Sequence, residues 1–127
     1  MPNLWKNSFV TVSQPVGTNL VVMRRSSSEI DDIEEVEQVA DRLAQLFPLD
    51  RRRDLVLLQD MRDAPRTTDA EYERKMVPLV MRMCDGFSRI AVLIRTAVGQ
   101  LQARRLQRTG ALPYGVFDDE DEALRFL

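Results

Sequence analysis

Charged side chains that could bind a metal ion, bind an anion or transfer a proton gather in one short segment of the chain. Asp60, Asp63 and Asp69 occur there together with Arg62 and Arg66, directly after an apolar run that favours a strand. Carboxylates can hold Mg²⁺ or Ca²⁺ or act as general acids and bases, and arginines can bind phosphate or carboxylate groups. Because open parallel sheets bind ligands at the carboxyl ends of their strands, this segment is the first candidate for a functional site.

The same segment has a simpler structural interpretation. Thr68 and Glu71 have the spacing of a capping box, and Asp69 would add negative charge to the first turn of the helix that this box opens. The carboxylates lack the spacing of an EF-hand loop, and nothing indicates two carboxylates with divided roles for glycoside hydrolysis. The pattern therefore predicts no metal site and no cofactor.

The sequence has no histidine, and Cys84 is its single cysteine. His-dependent catalytic triads and zinc sites of the histidine type are therefore excluded. Cys84 lies in an apolar stripe at helical spacing, which is more typical of a core than of an activated nucleophile. A lone thiol cannot form an internal disulfide, which indicates a reducing compartment, and we expect the cytoplasm. We predict that the protein is not an enzyme.

The composition is that of one ordinary globular domain covering residues 1–127. With 18 basic and 20 acidic side chains the formal net charge is −2, which argues against nucleic acid as a partner. Two basic groups, residues 51–53 and Arg104, Arg105 and Arg108, could face phosphate or an acidic protein, but a structural role is favoured for both. No apolar run predicts a transmembrane helix. The oligomeric state stays open.

Apolar periodicity and turn residues predict the element order β-β-α-β-α-β-α-β-α. Strands are predicted at residues 8–12, 19–23, 54–61, 89–95 and 113–117, and helices at about 28–47, 68–87, 97–108 and from 118 onward. Four consecutive apolar residues at 55–58 favour a central strand that is covered on both faces. The sequence thus predicts an α/β fold with a mixed, mostly parallel sheet, an N-terminal hairpin and about four helices.

This order, together with the terminal segment VFDDEDEALRFL, resembles the STAS domain shared by anti-sigma-factor antagonists and sulfate-transporter tails. The chain is most similar to the SpoIIAA-like branch, through the strand RIAVLIR and the helix that begins near AVGQLQARR. In that family the loop after the central strand carries a phosphorylatable serine, and partner kinases dock around it. The corresponding stretch here, QDMRDAPRTTDAEYERK, has no D-S-x-G motif, and its nearest hydroxyl groups belong to Thr67 and Thr68.

The resemblance implies a non-enzymatic, regulatory domain that binds a protein partner, such as a kinase or a regulatory factor. We expect the binding site at Arg62, Asp63, Arg66, Thr67 and Thr68, with the two threonines as candidate phosphate acceptors. The alternative is a carrier for a lipid or another apolar small molecule, as the fold-related CRAL-TRIO domains imply. That alternative requires a large apolar cavity.

Overall fold

The computed structural model describes residues 3–29, 33–65, 70–109 and 114–127, without the side chains of residues 70, 72, 73, 102 and 106–109. This part of the chain contains six strands and five helices. The strands are β1 (Asn3–Lys6), β2 (Val10–Ser13), β3 (Leu20–Arg25), β4 (Val56–Asp60), β5 (Arg89–Leu93) and β6 (Tyr114–Phe117). The helices are α1 (Ile33–Leu46), α2 (Leu49–Arg52), α3 (Ala70–Cys84), α4 (Ala97–Thr109) and α5 (Glu120–Phe126). None of the described helices is long and apolar enough to cross a membrane.

All six strands belong to one sheet, in which their spatial order is their order along the chain. β2 pairs antiparallel with β1 and with β3, whereas β3, β4, β5 and β6 run parallel to one another. The predicted mixed, mostly parallel sheet with an N-terminal hairpin is therefore confirmed. Strand β1 was not predicted. It is an edge strand of four residues, which is too short to show an apolar period, and only its pairing with β2 defines it.

Helices cover the two faces of the sheet unequally. Each parallel connection moves one strand further in the same direction, so right-handed crossovers place α1, α3 and α4 on one face. There α1 packs against α3, and the Tyr114 hydroxyl of β6 donates a hydrogen bond to the carbonyl oxygen of Ala103 in α4. The short helix α5 covers the other face, where Ala123 packs with Val22, Leu58 and Leu93.

Helix α1 follows the apolar pattern that predicts it. Val36, Val39, Ala40 and Leu43 recur at helical spacing, and all four are buried. The helix ends before Pro48, as the sequence predicts, because proline cannot continue the hydrogen-bond ladder. The single turn of α2 follows at once and is not part of the predicted order, since four residues are too few to show a helical period.

Strand β4 lies near the middle of the sheet, and every residue of Val56–Asp60 is buried. Leu57 packs in the larger core beneath α1 and α3, and Leu58 packs in the smaller core beneath α5. The predicted interior strand at residues 55–58 is confirmed, although it begins at Val56 and leaves Leu55 half-buried before it. This strand positions the candidate site, because its carboxyl end carries the buried polar side chains described next.

Candidate functional site

An ion pair between a buried carboxylate and a half-exposed arginine joins the carboxyl ends of β3 and β4. Arg24 and Asp60 are partners in the parallel register, and Nε of Arg24 donates to Oδ2 of Asp60 over 3.0 Å. Asp60 lies two residues after Leu58, so it points to the α5 face of the sheet. Its side chain is 4% exposed, whereas that of Arg24 is 52% exposed. A carboxylate is thus enclosed at the edge of the sheet where α/β folds commonly bind ligands.

Arg62 supplies Asp60 with a second cation. The backbone N–H of Arg62 donates to Oδ1 of Asp60 over 3.2 Å, and its side chain donates from Nε to Oδ1 over 3.0 Å and from Nη2 to Oδ2 over 2.8 Å. Such a bidentate arginine–carboxylate contact is among the stronger polar interactions in proteins. Because the two residues are so near in sequence, the contact fixes the direction in which the chain leaves β4.

These contacts set the charge state of Asp60. Burial by itself raises the pKa of this carboxyl group, but the hydrogen bonds from Arg62 and Arg24 outweigh burial, and the pKa lies below its ordinary value. The hydrogen bond from Arg62 to Asp60 in turn raises the pKa of the guanidinium. Asp60 is therefore a carboxylate near neutral pH, with both of its oxygens occupied by arginine donors.

More exposed ion pairs extend this cluster. Glu120, the first residue of α5, lies 3.9 Å from Nη2 of both Arg24 and Arg62. In the next loop Nη2 of Arg95 lies 3.7 Å from Oδ1 of Asp63, and these two side chains are 66% and 58% exposed. Exposed pairs of this kind contribute little to stability, so they can be exchanged for contacts with a partner. We call this cluster the charged edge, and it comprises Arg24, Asp60, Arg62, Asp63, Arg95 and Glu120.

Two of the five predicted site residues, Arg62 and Asp63, belong to the charged edge. Arg62 turns inward toward the strand, and its side chain is 29% exposed. Asp63 is more exposed and faces the loop that follows β5. Arg66, Thr67 and Thr68 lie outside the described residues, so their predicted roles stay predictions.

Four members of the charged edge are not among the five predicted site residues, namely Arg24, Asp60, Arg95 and Glu120, although Asp60 belongs to the candidate segment that the sequence indicates. Arg24 and Arg95 each come at or just after the end of a predicted strand, and that position is the signal that could have identified them. The sequence does not say which strand ends are neighbours. Only the register between β3, β4 and β5 brings these residues to one edge.

Arg52 is a buried cation near the opposite end of β4, and it is 2% exposed. Its Nε donates to the carbonyl oxygen of Phe47 over 2.7 Å, and its guanidinium carbon lies 5.1 Å from the centre of the Phe87 ring. Its Nη1 donates to carbonyl oxygens around the end of α3, those of Arg82, Met83 and Asp85. Arg52 therefore satisfies oxygens that a helix end leaves without partners, and it does not face a partner surface.

Cys84 is fully buried, and its sulfur accepts a hydrogen bond from Nε2 of Gln59 over 3.2 Å. Burial raises the pKa of this thiol to about 12, so it is protonated near neutral pH. Within the described part of the chain, no group of three cysteine, aspartate or glutamate side chains is arranged to hold a metal ion.

These features define an α/β domain with a charged edge at the carboxyl ends of its parallel strands. No protein-family model and no curated protein sequence matches the chain. Among solved structures it is similar to an uncharacterised protein of the DUF3478 family from Shewanella loihica PV-4, which is described as having a SpoIIAA-like fold. The TM-score is 0.70 and the sequence identity 14%, with 98% of each chain covered. The SpoIIAA-like fold expected from the sequence is therefore confirmed, and at this identity the similarity concerns the fold alone.

Proposed function

We propose that this chain is a non-enzymatic regulatory domain that binds a protein partner through the charged edge and the loop that follows it. The observation that carries the proposal is the exposed ion pair between Asp63 and Arg95, beside the enclosed carboxylate of Asp60. The class of partner is the one that the fold suggests, a kinase or a regulatory factor. We place the domain in the cytoplasm, where its free thiol stays reduced.

The charged edge has one part that is held rigidly and another whose ion pairs can be replaced. Asp60 and Arg62 are held by three hydrogen bonds, so they keep the start of the loop in one conformation. The ion pairs of Arg95, Asp63 and Glu120 are longer, with Arg95 and Asp63 largely exposed and Glu120 partly exposed. A partner with complementary charges can therefore replace these internal contacts. Charges arranged in this way favour specificity and fast association more than high affinity.

The chemistry of the buried groups supports binding over catalysis. A general base needs a pKa near the working pH and an accessible oxygen, whereas Asp60 has a lowered pKa and two occupied oxygens. A nucleophilic cysteine needs a lowered pKa, whereas burial raises the pKa of Cys84. Neither group is suited to proton transfer or covalent chemistry near neutral pH.

Phosphorylation of Thr67 or Thr68 is the regulatory step that we propose. Both residues come shortly before Ala70, the first residue of α3, in the sequence. A phosphate at the start of a helix meets the positive end of the helix dipole and exposed backbone N–H groups, so the fold could accommodate the added charge. The phosphate would also change the charge of the segment that continues from Arg62 and Asp63.

The carrier alternative receives less support. One recess between α1, α3 and the sheet has a volume of about 60 Å³. Pockets that enclose drug-sized ligands have volumes of roughly 300–1,000 Å³. A lipid would require several times the space of this recess.

The docking surface can be tested with a pair of charge-reversal variants of the full chain, expressed with a tag in its native cells. Arg95→Glu changes the charged edge, and Arg53→Glu makes the same change at an exposed position near the other end of β4. We expect Arg95→Glu to reduce recovery of a crosslinked protein partner by at least about tenfold, as loss of a complementary charge contact implies. Arg53→Glu should leave recovery unchanged, and both variants should melt at the wild-type temperature.

Equal recovery from the two variants would show that the charged edge is not the docking surface. Mass spectrometry of the protein from the same cells tests the phosphorylation step separately. We expect a phosphate on Thr67 or Thr68 that disappears in the double variant Thr67→Ala, Thr68→Ala. A phosphate elsewhere, or none under any growth condition tested, would contradict that step but leave the docking proposal standing.

A further inference from the structure

A recess lies on the face of the sheet opposite to Asp60, between α1, α3 and the strands. Its volume is about 60 Å³, and most of the residues that line it are apolar. Four of the six methionines of the chain contribute to its wall, namely Met23, Met61, Met76 and Met83. Methionine side chains are flexible and polarisable, so a wall of this kind can adapt to an inserted group. We call this feature the methionine recess.

Gln59 is a polar residue in the wall of the methionine recess, and it is only 8% exposed. Its Nε2 donates to the sulfur of Cys84, which is a weak acceptor. Its Oε1 accepts no hydrogen bond from the described residues, yet no fully enclosed side-chain oxygen or nitrogen among them lacks a partner. The oxygen is therefore not fully enclosed, and it belongs to a residue that lines the recess.

Arg25 is the other polar residue of the wall, and its described contacts fix it to the protein. Its Nη1 donates to the carbonyl oxygens of Phe9 and Ser28 over 3.0 Å and 3.3 Å, and its guanidinium carbon lies 5.9 Å from the centre of the Phe9 ring. Arg25 thus closes one side of the recess. The remaining wall is apolar, so a cation would lose its hydration on entering without compensation, and the guanidinium of Arg25 already donates to carbonyl oxygens of the protein.

We propose that the methionine recess binds a small uncharged molecule that has an apolar body and one hydrogen-bond donor, which Oε1 of Gln59 accepts. The recess is smaller than the cavity of about 150 Å³ that encloses benzene in another protein. The ligand therefore has the bulk of at most one small aromatic ring with one substituent, and the methionines move to admit it. This proposal is independent of the docking surface, because Gln59 and Asp60 point to opposite faces of the sheet.

Phenol and toluene are suitable probes, because they have nearly the same shape and only phenol carries a donor. The full chain, labelled with ¹³C at the methionine methyl groups, is titrated with each probe and followed by NMR. We expect saturable shifts of Met23, Met61, Met76 and Met83, and none of Met81, which lies on α3 outside the recess. Phenol should bind about fivefold more tightly than toluene, as one additional hydrogen bond implies.

Two variants test the site itself. Gln59→Leu removes the acceptor, and we expect the preference to reverse, with toluene bound more tightly than phenol, because the phenol hydroxyl would enter the recess without a partner. Met76→Trp should fill the recess and weaken both probes at least about tenfold, whereas Met81→Trp is the matched control on the same helix and should bind like the wild type. Melting curves identify any variant that does not fold.

Absence of shifts at the four lining methionines up to the solubility of both probes would overturn the proposal. A phenol preference that persists in Gln59→Leu would also overturn it, because the donor would then bind elsewhere. Tighter binding of decanoate than of phenol, with shifts of the same four methyl groups, would identify a lipid-binding recess and contradict the ligand class proposed here.

Discussion

Gln59 and Asp60 are consecutive residues at the carboxyl end of β4, and they serve opposite faces of the sheet. Nε2 of Gln59 donates to the sulfur of Cys84 in α3 over 3.2 Å, and Oδ2 of Asp60 accepts from Nε of Arg24 over 3.0 Å. Because side chains alternate along a strand, one buried strand end contributes to the methionine recess and to the charged edge at once. The two proposed sites can therefore be tested independently.

Replacement of Asp60 with Asn is expected to destabilise the protein by about 2 kcal/mol. Breaking a buried ion pair usually costs more, but the exposure of Arg24 reduces the penalty. Asp63→Asn is the matched control, and it should change the unfolding free energy by less than about 0.5 kcal/mol, because its carboxylate is 58% exposed. Urea denaturation measures both. Equal losses would show that burial of Asp60 has no energetic consequence.

The contribution of Asp60 to the stability of the protein should decrease as the pH falls. Its pKa is lower in the folded state, so the carboxylate contributes its full stability above the unfolded pKa of about 4 and loses it as the pH falls through the folded pKa. We expect the stability difference between the wild type and Asp60→Asn to be constant from about pH 5 to 7 and to shrink below about pH 4. A difference that grows on acidification would contradict this.

Arg52→Ala should be among the most destabilising single substitutions at a charged position. It removes the donor to the carbonyl oxygen of Phe47 and to the oxygens at the end of α3, at a cost on the order of 3 kcal/mol. Arg51→Ala is the control, and thermal denaturation should show little change because Arg51 is exposed. If Arg52→Lys is as stable as the wild type, the fork geometry of the guanidinium is not required.

Two glycines with positive φ allow two costs of a substitution to be separated. One is the cost of a left-handed backbone for a residue with a Cβ, and the other is the cost of a steric clash of that Cβ with its neighbours. Gly17 has φ +76° with open space around it, and Gly86 has φ +88° with a side-chain carbon of Leu49 only 3.1 Å from where a Cβ would stand. Gly17→Ala should cost about 1 kcal/mol from the backbone alone, and Gly86→Ala should cost clearly more. Denaturation of both variants under the same conditions tests this. Equal losses of unfolding free energy would mean that the Leu49 side chain moves away from the new Cβ at no measurable cost.

Cys84 should be almost inert toward thiol reagents in the folded protein. Cys84 is fully buried and burial raises its pKa to about 12, so its reaction at pH 8 should be slower than in denaturant by at least about 100-fold. The rate of reaction with a chromogenic disulfide in buffer and in 6 M guanidinium measures the ratio. A ratio near one would show that the thiol is accessible in the native state.

Thr68 remains the residue whose structural and regulatory roles most need to be separated. If it only caps α3, Thr68→Ala should lower the unfolding free energy by about 0.5 to 2 kcal/mol, and Thr68→Asp should preserve the cap. If it is a switch, Thr68→Asp should also alter the set of crosslinked partners. The switch is rejected if Thr67→Asp and Thr68→Asp both leave the folding and the partners of the protein unchanged.

The sequence by itself determined the order of most elements and the class of the fold. Local patterns were sufficient for this, because they predict which residues are buried. Examples are the helical spacing of Val36, Val39 and Leu43 and the apolar run at residues 55–58. The single-turn α2 and the edge strand β1 escaped prediction, since each is too short to show a period.

Only the tertiary structure decided which residues form the two sites. Arg24, Asp60 and Glu120 are far apart in the chain, and they meet because β4 pairs in parallel register with β3 and because α5 packs back over the same strands. In the same way, an arginine in a polar tripeptide gives no sign that it is enclosed, and Arg52 is buried because the end of α3 presents carbonyl oxygens to it. Contacts between distant segments leave no local pattern in the sequence. Composition and spacing could therefore indicate that a site lies at this edge of the sheet, but not which distant residues meet there.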